Sequence, residues 1–251
     1  MDKHIGAQYY TIRDFTQNIG DFDSACKKIS DIGYKNVQIS GTPLGAKEMR
    51  EVLDKYGLKV LTSHRSYDDF LKNIDEIIDY NKILGCNLCG IGGYFGDKNK
   101  FFDTIGGVCD TLKSEGMYFG YHNHSFEFIK EDGVAFIDRL IEETDPEVFN
   151  FIADTYWIHV GGRNPADFIK KLGKRAMAVH FKDYSPKSED WGAPEMREIG
   201  RGNLDWDGII DACEKAGTRW AIVEQDGNHI ENDPFLALSV SYKFLKEKGF
   251  C

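Results

Sequence analysis

One unit of sequence recurs from end to end of this chain: an amphipathic stretch closing on glycine, a short apolar run, then polar or glycine residues. The apolar runs Ile5–Tyr9, Asn36–Ser40, Lys59–Ser63, Asn87–Ile91, Tyr118–His122, Phe149–Asp154, Ala176–His180 and Trp220–Glu224 read as eight strands. Gly33, Gly57, Gly85, Gly116, Gly173 and Gly217 stand where a helix end calls for a residue at positive φ. The helical stretches are Phe22–Ile32, Ala46–Tyr56, Tyr67–Leu84, Asn99–Glu115, Val134–Glu143, Pro165–Leu172, Leu204–Ala216 and Pro234–Lys246. In Tyr67–Leu84, read as one helix, Phe70, Leu71, Ile74, Ile77, Ile78 and Leu84 form a helix-period stripe, with Asp68, Lys72, Asp75, Glu76 and Asp79 facing away. Strands alternating with helices demand crossover connections, and eight parallel strands so connected close into an α/β barrel of the TIM (β/α)8 type.

The rival architecture, a doubly wound open sheet, wants a glycine-rich phosphate loop after the first strand. Here that strand runs into Gln8-Tyr9-Tyr10-Thr11, and Gly90-Ile91-Gly92-Gly93-Tyr94-Phe95-Gly96 follows the fourth strand without dinucleotide spacing. The 251 residues, 41% hydrophobic, suit one large barrel spanning 1–251, and no linker-like or low-complexity segment divides them. No signal-peptide pattern or membrane-length apolar run is present, so a cytoplasmic enzyme is expected. The six cysteines read as reduced packing residues. Cys86-Asn87-Leu88-Cys89 has metal-site spacing but no second ligand pair nearby. A formal net charge of −10 argues against a nucleic-acid partner. Apolar outer helices are compatible with a homodimer.

Parallel barrels carry their chemistry at the C-terminal strand ends. There this chain places His64, His122 with His124, Asp154, His180 with Lys182 and Asp183, and Glu224. Imidazole plus carboxylate suits Mn, Co, Zn, Fe or Mg with positions left open for substrate. Each residue also has a plainer reading: a strand-end histidine is often a hydrogen-bonded structural group, and an Asp after a strand is often a helix N-cap. Asp154, His180 and Glu224, on three successive strand ends, make the ligand reading the stronger one. Alternation along a strand puts His122 and His124 on one side and Asn123 on the other. Lys182 is either a proton donor or a partner of Asp183. Arg201 either holds a substrate oxygen or phosphate or forms a surface ion pair.

Several stretches carry a family resemblance. Ile5-Gly6-Ala7-Gln8-Tyr9-Tyr10-Thr11-Ile12-Arg13-Asp14, Ala153-Asp154-Thr155 with Gly161-Gly162, Val179-His180-Phe181-Lys182-Asp183, Ile199-Gly200-Arg201-Gly202 and Ile222-Val223-Glu224 occur in the order found in the sugar phosphate isomerase/epimerase superfamily. The chain resembles these xylose-isomerase-like barrels, which include ketose 3-epimerases, inosose dehydratase and endonuclease IV. The resemblance implies a divalent metal on Asp154, His180 and Glu224, with Glu224 also the base. Where many relatives carry a glutamate, this chain has His122, taken as fourth ligand with His124 as the second choice; the run Tyr121-His122-Asn123-His124 is more similar to the dehydratase branch. Glu127 resembles a substrate-contacting glutamate. Trp157 stands where relatives often have histidine and reads as a wall for a sugar ring, with His159 a possible functional substitute. The implied activity is isomerisation or epimerisation of a small-molecule carbohydrate through a metal-stabilised enediolate. Dehydration or β-elimination on a keto-sugar or keto-inositol follows closely behind, because a neutral histidine in place of the second carboxylate weakens a two-base epimerase.

Overall fold

A computed structural model describes residues 1–251. Its eight barrel strands are β1 (Gly6–Gln8), β2 (Asn36–Ile39), β3 (Lys59–His64), β4 (Leu88–Gly92), β5 (Tyr118–His122), β6 (Phe149–Asp154), β7 (Ala176–Phe181) and β8 (Trp220–Val223). Each pairs in parallel with its sequence neighbours, and β8 returns to β1 to close the barrel. The expected (β/α)8 architecture is therefore observed. β1 is shorter than expected because the Gln8 side-chain oxygen accepts from the Tyr10 amide and turns the chain into a 3-10 segment, Tyr9–Phe15.

The helices are α1 (Ile19–Ile32), α2 (Ala46–Lys55), α3 (Tyr67–Lys72), α4 (Ile74–Leu84), α5 (Lys98–Ser114), α6 (Phe136–Glu143), α7 (Thr155–Val160), α8 (Pro165–Leu172), α9 (Trp206–Ala216) and α10 (Pro234–Glu247). The single helix expected over Tyr67–Leu84 is two, broken at Asn73, where φ is −138° and ψ 38°. Asparagine tolerates such non-helical backbone at little cost. The break lets Phe70 pack on Phe119 while Ile77 and Ile78 stay buried in line with α4. Leu71, assigned to the apolar stripe, is exposed instead. Val134 belongs to a short hairpin with Lys130–Glu131 rather than to α6. The helix α7, between Asp154 and Gly161, has no counterpart among the expected elements.

Two apolar layers sandwich the barrel wall. Outward-facing residues such as Phe119, Phe149, Phe151, Val179 and Val223 join the helices in one large cluster. Leu61, Leu88, Ile152, Met177, Ala178 and Ile222 form a smaller plug within the barrel. Successive strand residues alternate in direction. Asp154, His180 and Glu224, each two residues beyond Ile152, Ala178 and Ile222, therefore emerge directly above this plug. The register sets Asp154 beside His180 and Gly92 beside His122. One close approach fixes the wall here: Gly90 pairs with Gly120, and a Cβ on Gly90 would stand 1.9 Å from the Gly120 carbonyl oxygen. No helix is long and apolar enough to cross a membrane. Cys26, Cys86, Cys89, Cys109 and Cys213 are free and buried, whereas Cys251 is free but exposed, unlike the packing role expected of it.

Candidate metal centre

His122, Asp154, His180 and Glu224 present ligand atoms that all lie within 4.8 Å of one another, and all four residues are buried. Four strands supply one residue each, so the rigidity of the barrel sets the spacing. His122 Nε2 lies 3.2 Å from Asp154 Oδ2 and 3.9 Å from Glu224 Oε2. His180 Nδ1 lies 2.8 Å from Glu224 Oε2 and 3.8 Å from Asp154 Oδ2.

Two observations bear on whether these residues suit a cation. His180 Nδ1 is buried without an aligned hydrogen-bond partner, although Glu224 Oε2, itself beside the Lys182 ammonium, lies 2.8 Å away. Buried polar atoms are rarely left so, and a lone pair directed at a cation would look like this. The donor set of two imidazoles and two carboxylates also matches the chemistry of Zn, Mn, Fe or Co sites. The residues fit a divalent cation.

Asp154 serves two purposes. Its Oδ1 accepts the Trp157 amide at 2.9 Å and caps α7, while its Oδ2 faces the cluster. The N-cap reading holds through Oδ1, and Oδ2 is left facing the cluster. The Asn123 side chain points the other way and accepts the Asp154 amide.

Lys182 does not pair with Asp183. Its fully buried Nζ lies 2.8 Å from Asp226 Oδ2, 2.9 Å from Glu224 Oε2 and 3.1 Å from Asp154 Oδ2. Burial works against the charge, but these carboxylates outweigh it and hold the ammonium well above the ordinary lysine range. Burial would likewise raise Glu224, yet Lys182 and His180 outweigh it and keep that carboxyl well below its usual value. For Asp154 burial prevails over Lys182, and the shift is upward. Asp183, one residue on and so on the opposite side, accepts from the Gly200, Gly202 and Leu204 amides and from Trp206 Nε1, pinning the loop after β7.

Above the cluster opens a cavity of about 600 Å³ whose wall includes His64, His122, His124, Glu224, Asp226, Tyr10 and Arg65. His64 stacks on His122 with ring centroids 5.5 Å apart. Burial, then the nearby imidazoles of His122 and His180, holds His64 well below the ordinary histidine pKa, and burial lowers His124 as well. His124 Nδ1 is buried without a hydrogen-bond partner. Trp157 lies beside His124, with ring centroids 5.3 Å apart, and 5.6 Å from Lys182 Nζ.

The remaining expected residues fall elsewhere. Glu127 accepts from the Tyr121 hydroxyl and the His124 amide, behind the wall rather than in the cavity, so it orients His124. Burial raises its carboxyl to about 7. Arg201 is exposed and outside the cavity wall, and His159 packs on Tyr184 at 4.3 Å.

Three residues here are absent from the expected set. Gln38 bridges His64 and His180 through its amide, at 2.8 and 2.7 Å. Asp226 completes the Lys182 cage. Arg65 lies with its guanidinium 3.9 Å from the Tyr80 ring centroid and has no carboxylate partner. The alternation in Asn36-Val37-Gln38-Ile39 was a usable signal, because it sends the two polar residues inward on a strand whose other face is apolar. Arg65 carried a fainter one, adjacency to a strand-end histidine.

A buried His/Asp/His/Glu cluster that could hold a metal, at the C-terminal mouth of a closed parallel barrel, is the arrangement of a barrel enzyme. Residues 26–248 match the xylose isomerase-like TIM barrel family, and the chain belongs to it. It is 22% identical to the inosose dehydratase of Lacticaseibacillus casei, over 89% of this chain and 88% of that one. Among solved structures, it resembles a sugar phosphate isomerase/epimerase from Parabacteroides distasonis ATCC 8503, with a TM-score of 0.78 at 19% identity over 96% of this chain and 92% of that one. It also resembles the probable 3-DHS dehydratase AsbF of Bacillus anthracis, with a TM-score of 0.72 at 13% identity over 98% and 99%.

Proposed function

We propose that this protein is a divalent-cation-dependent lyase that removes water from a small polyhydroxylated ketone, a keto-cyclitol or keto-sugar. The observation carrying this reading is the convergence of His122, Asp154, His180 and Glu224 within 4.8 Å at the floor of the cavity. The dehydratases among its relatives support the choice of reaction. His122, Asp154, His180 and Glu224 would hold the cation, which would supply Lewis acidity toward a substrate carbonyl.

The protein's own groups divide the remaining work. Glu224, ionised and held by Lys182, suits a ligand better than a base, since its affinity for a proton is depressed. Of the two cavity imidazoles outside the cluster, His64 has Nε2 engaged by Gln38, whereas neither ring nitrogen of His124 has a protein hydrogen-bond partner and only its Nδ1 is buried, which leaves Nε2 as the reactive nitrogen. His124 therefore takes the proton α to the carbonyl. The electron pair left on that carbon forms the new C=C bond as the β C–O bond breaks, and His124 returns its proton to the departing hydroxide, releasing water. Positioned acid-base groups of this kind contribute about 10² to 10⁴-fold.

Epimerisation, the other activity that the family resemblance suggests, needs a second proton carrier on the opposite face of the substrate. The residue at the matching position is His122, and its Nε2 is drawn into the ligand set. Product analysis on inososes and ketoses, with bound metal assayed in parallel, separates these outcomes. Elimination product from wild type, metal lost in His180→Ala and Glu224→Gln, and metal kept but turnover lost in His124→Ala are expected. Epimer as the sole product, or full metal content in both ligand variants, would overturn the reading.

A further inference from the structure

A primary amide offers one acceptor and one pair of donors on opposite ends, and Gln38 spends them on two imidazoles. Its Oε1 lies 2.7 Å from His180 Nε2, and its Nε2 lies 2.8 Å from His64 Nε2. The nitrogen facing the amide oxygen must carry a proton, and the nitrogen facing the NH2 group must be bare. A neutral imidazole carries a single N–H, so the two rings are forced into opposite tautomers: His180 with Nε2–H and a bare Nδ1, His64 with a bare Nε2 and Nδ1–H.

We infer that Gln38 is a positioning residue that couples cation binding at His180 to the presentation of a hydrogen-bond donor, His64 Nδ1–H, to the substrate. This rests on the proposed cation site. The His180 nitrogen left bare is Nδ1, the one that belongs to the ligand cluster and lacks an aligned partner. A bound cation requires that lone pair, hence His180 Nε2–H, hence Gln38 Oε1 turned toward His180. The amide then turns its donors to His64 and leaves the proton on His64 Nδ1. That nitrogen has no hydrogen-bond partner in the protein, and it stands on the cavity wall beside Gly92, where the missing side chain leaves it open. The reversed amide would put the proton on His180 Nδ1, against Glu224, and abolish both the ligand and the donor. Second-sphere hydrogen bonds commonly fix the tautomer of a ligating histidine in this way. Here the same amide also sets a second histidine that faces the substrate. A donor aimed at an oxygen where negative charge develops is worth about 10² to 10³-fold in rate.

Gln38→Glu tests this, because a carboxylate accepts from both rings and has no proton to donate. His180 keeps Nε2–H and its ligand lone pair, while His64 is driven to Nε2–H and loses its Nδ1–H. Full-length protein with 15N-labelled histidine is titrated with Zn2+ by calorimetry, and long-range 1H–15N correlation spectra read the tautomers. In wild type with Zn2+, His64 is expected as the Nδ1–H form. In Gln38→Glu the His64 pattern inverts, Zn2+ affinity is retained, and kcat falls about 100-fold. A merely structural glutamine would leave the His64 tautomer unmoved. Zn2+ binding in both proteins with His64 in the Nε2–H form in wild type, or in the same form in both, would overturn the coupling. Absence of Zn2+ binding to wild type would instead overturn the cation site beneath it.

Discussion

The Lys182 ammonium lies 2.9 Å from Glu224 Oε2 and 3.1 Å from Asp154 Oδ2, the same two oxygens that face the ligand histidines. With Asp226 counted, three carboxylates surround this one fixed cation. If all three are ionised, two negative charges are uncompensated at the barrel floor, and a divalent ion would neutralise them. On the proposed reading, charge would therefore couple metal binding to folding. Protein stripped with a chelator should melt lower than protein given Mn2+ in excess. At a free-ion concentration of 100 times Kd the stabilisation is about 2.7 kcal/mol, or several degrees for a chain of this length. Calorimetry at stepped Mn2+ concentrations measures it, and an invariant Tm would count against the site.

Removing the fixed cation should sharpen that dependence. Lys182→Met leaves a buried methylene stem among carboxylates with no positive partner, and breaking a buried pair on one side costs about 3–5 kcal/mol. The loss is expected in chelator and should shrink in saturating Mn2+, because the ion then carries the compensation alone. Urea unfolding under both conditions gives the comparison. An equal loss in each would mean that Lys182 and the cation act independently.

Stability against acid has one identifiable contributor far from the site. Asp138 on α6 accepts from Arg163 at 2.9 Å and from Lys171 at 2.9 Å, and the Arg163 hydrogen bond, ahead of the cost of burial, lowers its carboxyl to about 2. A folded pKa below the unfolded one means stability present above the unfolded value and lost as pH falls through the folded one. The window is therefore from about pH 5 down to pH 2, and the contribution at neutral pH is at most roughly 2 kcal/mol. Asp138→Asn should lose that amount at pH 7 and converge with wild type near pH 2, as followed by urea midpoints across the pH range.

Strand positions were readable from the recurring helix, glycine and apolar unit, and the convergence of His122, Asp154, His180 and Glu224 from their places at strand ends and the family resemblance. Ile152 and Asp154, Ala178 and His180, Ile222 and Glu224 each sit two apart, so an inward apolar residue announces an inward polar one. What alternation cannot give is which partner an inward polar residue finds across the barrel. Of the two readings open for Lys182, pairing with Asp183 fails because consecutive residues diverge, and its partners Asp154, Glu224 and Asp226 come from β6 and the end of β8. Glu127 and Arg201 follow strand ends on loops, where no periodicity fixes direction; one turned behind the wall and the other outward. The α7 helix leaves no periodic signal in the sequence, because six residues make too few turns to show a period.

Arg65, not Arg201, is the arginine in the cavity wall. It lines the wall, rests on Tyr80 and makes no ion pair, so its guanidinium is free to donate to substrate oxygens. A contact made equally to substrate and transition state affects KM and leaves kcat near its original value. Hydrogen bonds to a charged group are worth about 1.5–3 kcal/mol. Arg65→Met should therefore raise KM roughly ten- to hundredfold while Mn2+ affinity is unchanged, because the residue lies outside the ligand set. Steady-state kinetics on the turned-over ketone, with calorimetric Mn2+ titration as control, decides it. An unaltered KM would place the substrate elsewhere in the cavity, and a fall in kcat alone would assign Arg65 to the transition state.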